Sequence, residues 1–590
     1  MARNPGTQEF PAVAVLSKRG KIYEASPAFG EEKSVFIGRK ALHGARAGEL
    51  VLLRRAGRGG EVARVLGKAT SLPAIMEAVL AWFEVPRGFS ANACEQAGRA
   101  ALLAGKRDEG RRDLTGLAAV TIDPDEAMDF DDAISLIDGP GDGEVTLFVH
   151  IADVSYFVKT GSALDSEAAR KGVSVYLPVA VEPMLPEALS NEACSLKPGA
   201  VRKCVTVQMV FDFDGVTAPG LKKTGCHRSL IRSRRRLTYN EVDDYLQGIA
   251  SAAGEACLPA KITALLDRSR RLAAALRQAR HERGALAIST FEPEFRLSDS
   301  GEIIDARPRP QSETHALIEE FMITANEAVA RFLERRQSEC IYRVHEEPDA
   351  AAVDALFDTL DDLGIPTPPF SLQAGTPDNA ARAIRKLLKS LPGVLGEQQA
   401  GRSAFGELVL RSLKQARYLE DNLGHFGLAA PAYLHFTSPI RRYPDLVVHR
   451  ALLKELHLEE HSCSRLKLTD ISEKCSQAER RAQAAEHLGD DIALARLLDR
   501  FLFEEGWDAG FEGEIVGVIS SGAFVRFGEI YEGYLPARSL PGDYFVLSEK
   551  GGSLVGHRRG RAWKLGDRIS VRVLRIDKLR GKVELKPDFG

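Results

Sequence analysis

Residues 121–136 read TIDPDEAMDFDDAISL, and the fold is decided by how they are understood. Six carboxylates, Asp123, Asp125, Glu126, Asp129, Asp131 and Asp132, fall within ten positions. Unpaired carboxylates crowded together repel and raise one another's pKa. Divalent cations resolve that conflict, and an all-oxygen donor set selects Mg²⁺ or Mn²⁺ over zinc. The D-x-D-D step at 129, 131 and 132 points carboxylates in several directions from one loop, as two metal ions ~3.5–4 Å apart require. An acidic solvated turn is the alternative. Ile122, Met128, Phe130 and Ile134 are interleaved with the acids, which weighs for a partly buried site.

Working outward, LAAVTID (117–123) and TLFVHIADV (146–154) read as strands. Three- and four-residue apolar steps predict helices over 261–283 and 314–336, and Pro444 suits the first turn of a third. No regular βαβ repeat appears, so an α+β domain is expected over 116–465. Residues 1–70 hold short strands separated by Gly-containing turns, the pattern of a small OB-type barrel. Residues 71–115 read as a helical connector and 466–506 as a charged helical linker. From 507 to 590 the period switches to two, as in ISVRVLRI, which predicts a second barrel.

The 590 residues carry 79 basic and 82 acidic side chains, a net charge of −3. That total hides a net +7 over residues 11–70 and +8 over 550–590. Two basic ends around an acidic middle fit a polyanion ligand and central metal-binding carboxylates, or equally a solvated surface. No apolar run reaches the ~18–20 residues that span a bilayer, and the first residues lack a signal-peptide pattern. A soluble cytoplasmic chain without membrane partners is expected. The eight cysteines show no CxxC pair and are read as free thiols.

Fixed positive charge is available in HFTSPIRRYPDLVVHR (435–450), where Arg441 and Arg442 sit between two prolines. A guanidinium offers two parallel donors to phosphate oxygens and keeps its charge. A surface ion pair is the alternative. RSLIRSRRRLTYN (228–240) holds five arginines, readable as a phosphate-tracking wall or as a solvated strand edge. In the C-terminal barrel Phe511, Phe524, Phe527 and Tyr534 alternate with Arg526 and Arg538, a mixture suited to base stacking and backbone neutralisation, although some of these rings must be core. His457-Leu-Glu-Glu-His461 matches an H-x-x-E-H zinc motif, but it falls at a helix end with no third ligand downstream.

Six blocks resemble, in order, those of the ribonuclease II/ribonuclease R family. They are TIDPDEAMDFDDAISL, YLPVAVEPMLPEALSNEACSL, RRRLTYNEV, ALIEEFMITANEAVARFL, IYRVHEEP and HFTSPIRRYPDLVVHRAL, covering roughly 115–460. The resemblance implies a large RNB-type catalytic domain flanked by a cold-shock-type barrel and an OB-fold RNA-binding barrel. It implies a processive 3′→5′ exoribonuclease that acts on single-stranded RNA and releases 5′-mononucleotides; a monomer is expected. The family's metal ligands map to Asp123, Asp129, Asp131 and Asp132, with Asp131 weighing most on turnover, and its catalytic arginine maps to Arg441. Its stacking tyrosine maps to Tyr176. Its ribose-clamping tyrosine maps to Tyr239, with Glu319 or Glu320 as acidic partner. Phe511, Phe524, Arg526 and Tyr534 are the RNA-binding candidates of the last barrel. The text HFTSPIRRYPDL is closer to ribonuclease R than to ribonuclease II. Room for one N-terminal barrel instead of two, and the absence of a Lys-rich tail after KPDFG, put duplex invasion in question. An RNA-binding protein with a silent nuclease domain is the alternative, and a deoxyribonuclease a third reading.

Overall fold

The centre of the molecule is a six-stranded sheet whose two faces are both covered. The computed structural model describes residues 12–588 apart from 57–58, 107, 142, 216, 250–257, 287, 289–291, 299, 310–311, 371–375, 396–401 and 460–464. Strand order in the sheet is Val201–Asp212, Glu144–Ala152, Asp132–Asp138, Ala119–Asp123, Gly220–Thr238 and Arg112–Asp113. The sheet curls far enough that Val201–Asp212 also pairs with Gly220–Thr238. Alternation along the strands sends Ile134, Leu136, Leu147, Val149 and Ile151 to one side, and Ala133, Phe148 and Ala152 to the other. Burial on both faces explains why the strand text is so continuously apolar.

The first face packs on the helices Ala260–Arg283 and Glu313–Arg335, within a residue of the predicted spans. The other carries Leu446 and Val447 of the helix Tyr443–Glu455, which has Pro444 in its first turn. Among the described residues this mixture of helix and sheet is the expected α+β architecture.

Two closed five-stranded barrels flank the sheet. One runs from Val13–Arg19 to Gly59–Lys68, the other from Gly510–Ile519 to Lys582–Pro587. Between the sheet and the second barrel runs a single helix, Arg465–Glu505, of 41 residues. At 1.5 Å per residue it is about 60 Å long. Ala482, Ala485 and Ile492 pack with the first barrel and the helix Leu72–Trp82; Ala495, Leu498 and Leu502 enter the core of the second barrel. Gly489 keeps this helix close to the strand Val175–Leu177: a Cβ there would lie 2.9 Å from Leu177 Cδ2. The barrels also meet directly, because Arg580 donates to the backbone carbonyls of Pro27 and Ala28.

No described helix is long and apolar enough to cross a membrane. Cys94, Cys194, Cys204, Cys226, Cys340 and Cys475 are free thiols; Cys257 and Cys463 lie outside the described residues. The H-x-x-E-H text begins beyond the end of the helix Tyr443–Glu455, with His457 at φ 57°, and His461 lies outside the described residues.

Candidate active site

The aspartate loop is where the sheet delivers its charge. Strand Ala119–Asp123 ends on Asp123, the chain loops back, and Asp132 opens the next strand opposite Ile151. The loop is pinned from within. Ser195 Oγ accepts from the Phe130 N–H (3.1 Å) and donates to the Met128 carbonyl (2.8 Å). The Leu196 N–H donates to Phe130 O (3.0 Å), and the Ala152 N–H to Asp131 O (2.9 Å). Phe130 is buried beneath the Arg236 guanidinium, 5.6 Å from its ring centre. The apolar residues among the acids are thus partly structural, with Phe130 as anchor, whereas Met128 is exposed.

Asp131 lies at the focus. Its side chain is 5% exposed, its Oδ1 accepts from the Ile440 N–H (2.8 Å), and Oδ2 faces Arg441 Nε at 3.5 Å. The Arg441 side chain also donates to Ser438 Oγ (3.3 Å) and is 47% exposed, so part of the guanidinium faces solvent. Its neighbour is committed elsewhere. Arg442 pairs with the fully buried Asp445 (2.7 Å), which also accepts from the Ser438 N–H. Arg441 is thus the member of the pair that faces Asp131, while Arg442 acts on Asp132 through its charge. On another side Tyr176 donates its hydroxyl to Asp129 Oδ2 (3.0 Å), with part of its ring in solvent and its backbone N–H held by Glu486.

Parallel pairing places Thr238 beside Asp123, so the next residue, Tyr239, starts its helix next to the aspartates. Burial, then Asp132 and Asp123, raise the tyrosine's pKa, so the hydroxyl stays protonated. The carboxyls respond to each other in the same way. Burial and then Asp132 push Asp123 up to about 8; burial pushes Asp132 up to about 6 against the pull of Arg441 and Arg442; burial lifts Asp131 well above its usual range.

The donor set is all carboxylate, and two buried oxygens, Asp123 Oδ2 and Asp131 Oδ2, have no hydrogen-bond donor. Both facts fit a hard divalent cation such as Mg²⁺. Among the described residues no three carboxylate, imidazole or thiol groups are already gathered closely enough to cage an ion.

Several expectations need correction. Glu320 cannot face RNA: it is buried in a bidentate pair with Arg280 (2.9–3.2 Å). Glu319 is exposed and lies one turn beyond His315, which stacks on Tyr239. Most of the five arginines of the strand Gly220–Thr238 already have partners within the protein. Arg228 pairs with Asp153 and Glu459, Arg235 with Glu241, Arg234 donates to Thr115 O and Arg236 to Pro124 O and Asp125 O; Arg232 is exposed. In the last barrel Arg526 is held by Glu407 (2.6 Å) and Glu532, which docks the barrel on the helix Arg402–Ser412. Phe511 packs between Phe501 and Phe527. Phe524 and Tyr534 remain at the surface as an aromatic pair, ring centres 5.7 Å apart. Ser195 and His315 escaped the sequence reading; each stands in or beside one of the quoted blocks, but only the fold shows what it touches.

Comparison with known proteins agrees with this geometry. Residues 111–458 match the RNB domain and residues 508–586 the S1 RNA binding domain. Ribonuclease R of Aquifex aeolicus is 33% identical over 607 aligned residues, covering 98% of this chain and 82% of that protein. For ribonuclease R of Thermotoga maritima the figures are 39% over 495 residues, 80% and 64%; for that of Escherichia coli, 34% over 569, 92% and 66%. The solved structure of Mycoplasma genitalium RNase R with ribose methylated single-stranded RNA superposes with a TM-score of 0.83 at 25% identity, covering 98% of this chain and 90% of that one. Yeast Ssd1, described as a pseudonuclease, shares the fold with a TM-score of 0.67 at 17% identity, covering 93% and 68%. The chain belongs to the ribonuclease II/ribonuclease R family of 3′→5′ exoribonucleases, and its similarity runs to the ribonuclease R side.

Proposed function

We propose that the protein is a monomeric cytoplasmic enzyme that degrades single-stranded RNA processively from its 3′ end to 5′-mononucleotides. The observation that carries this reading is the pairing of buried Asp131 with half-exposed Arg441 inside a four-aspartate loop. Asp123, Asp129, Asp131 and Asp132 would hold two Mg²⁺ (or Mn²⁺) ions. Bound there, the ions supply charge for the attacking and leaving oxygens of an in-line displacement. Arg441 neutralises the scissile phosphate, whose charge rises in the transition state. The Tyr176 ring offers a face for a terminal base, and its bond to Asp129 ties the stacked nucleotide to the reacting centre. Tyr239 and Glu319 read the terminal ribose, a contact by which RNA is told from DNA. Phe524 and Tyr534 give the strand an aromatic platform outside.

The decisive assay uses a 5′-labelled RNA with a 3′ overhang on a duplex. Wild type with Mg²⁺ is expected to give a ladder ending in a short limit product, and chelation to abolish it. Arrest at the duplex edge separates ribonuclease II-like from R-like behaviour. RNA bound but left intact would identify a silent nuclease domain, an outcome the shared fold of yeast Ssd1 makes worth testing.

The carboxyls also predict a pH-dependent metal effect. Asp123 and Asp132 have folded pKa values above their ordinary 3.8. The folded state then holds more protons than the unfolded one, so their contribution is favourable at low pH and lost as pH rises, from about pH 4 to about 8 for Asp123. A metal ion replaces those protons. Mg²⁺ is expected to raise the melting midpoint more at pH 8 than at pH 5.5, and to do so less in Asp123→Asn. Equal shifts at both pH values would refute a metal at these carboxylates.

A further inference from the structure

Tyr239 packs against the hydrophobic core on one side and lines an open pocket on the other. Thr238 and Glu241 form a reciprocal cap at the start of its helix, which fixes the main chain but not the ring. A cavity of about 240 Å³ lies against Tyr239, lined also by Asp125, Asn240, Phe295, Arg309 and His315. Tyr239 and His315 together form part of its wall.

One contact bears directly on the ring. The His315 imidazole lies flat on the tyrosine ring, with centres 3.7 Å apart and planes 14° apart. His315 belongs to the helix Glu313–Arg335 and is itself fixed: Ser312 Oγ accepts from its N–H and bonds its Nδ1 at 2.8 Å. The two helices are tied at the same level, because Asp243 accepts from both the N–H and the hydroxyl of Thr314. Burial, then Arg309, lowers the imidazole's pKa, so a neutral ring makes the stack.

We propose that His315 is a positioning residue that holds Tyr239 in one rotamer against the terminal ribose and thereby sets how strictly that sugar is read. The inference rests on the reading that Tyr239 contacts the 3′-terminal nucleotide. It places the stringency of sugar selection partly in a side chain that acts through another.

The test compares wild type, His315→Ala, His315→Phe and Tyr239→Ala. The substrates are an RNA oligonucleotide and the same oligonucleotide with a 2′-deoxy sugar at its 3′ end. His315→Ala is expected to lower kcat on RNA about tenfold with KM within about twofold, since misplacing a contact costs rate while the rest of the strand still binds. Its preference for the ribose end should fall about tenfold, and His315→Phe, which keeps a flat ring, should restore most of it. Equal losses on both substrates without rescue by Phe would overturn the positioning role. Unchanged sugar preference in Tyr239→Ala would instead overturn the reading of Tyr239 on which the inference stands. Melting midpoints of all variants, measured alongside, report any loss of folding.

Discussion

Asp131→Asn is expected to cut turnover by roughly a thousandfold or more while RNA binding and folding persist. The substitution keeps the shape, and the amide oxygen can still accept from the Ile440 N–H that holds Asp131 at 2.8 Å. What disappears is a negative charge on a buried oxygen without a donor, facing Arg441. Burial already lifts the pKa of this carboxyl, so a neutral group suits its surroundings better when no metal is present. The melting midpoint of metal-free Asp131→Asn should therefore match or exceed that of wild type, with activity nearly gone. Binding curves with labelled RNA, single-turnover rates and thermal scans check the three parts. A variant that loses binding as severely as rate would show that Asp131 holds RNA and is not confined to the chemistry.

Glu320→Ala carries the largest expected effect on stability. The carboxylate is 3% exposed and receives three hydrogen bonds from Arg280 of the facing helix. Removing it leaves a buried guanidinium without its partner, which costs about 3–5 kcal/mol. The double variant Arg280→Met, Glu320→Leu removes both charges together and should lose much less. Denaturant melts of the three proteins decide the matter. If Glu320→Ala instead kept full stability and weakened binding of ribose-ended RNA, the glutamate would have to leave Arg280 and face the substrate.

These two residues mark how far the sequence could be read. The aspartate loop was legible because its chemistry is local: like charges within ten positions demand a counter-ion, and the neighbouring apolar text marks burial. Tyr239 was reachable only through resemblance, since its place beside Asp123 depends on strand register between segments more than a hundred residues apart. Glu319 and Glu320 could not be told apart, because the choice rests on Arg280, forty residues upstream on another helix. Arg526 and the arginines of 228–236 were misleading for the same reason. Composition shows that a cation is present, whereas its partner, Glu407 or a backbone carbonyl, is set by tertiary packing. The barrels were legible as alternating strands, yet which aromatics face outward was decided by the closure of the sheet: Phe527 is core, and Phe524, three positions earlier, is exposed.

The Arg580 contact between the barrels bears on how the protein is made. Its guanidinium donates to Ala28 O across a sequence separation of 552 residues. At ribosomal rates of about 5–20 residues per second, the first barrel leaves the exit tunnel roughly 25 to 95 seconds before this arginine is synthesised. Throughout that interval the carbonyls of Pro27 and Ala28 lack the Arg580 donor, and the first barrel is not yet docked on the second. The seam between the two barrels can close only once the second of them has been made.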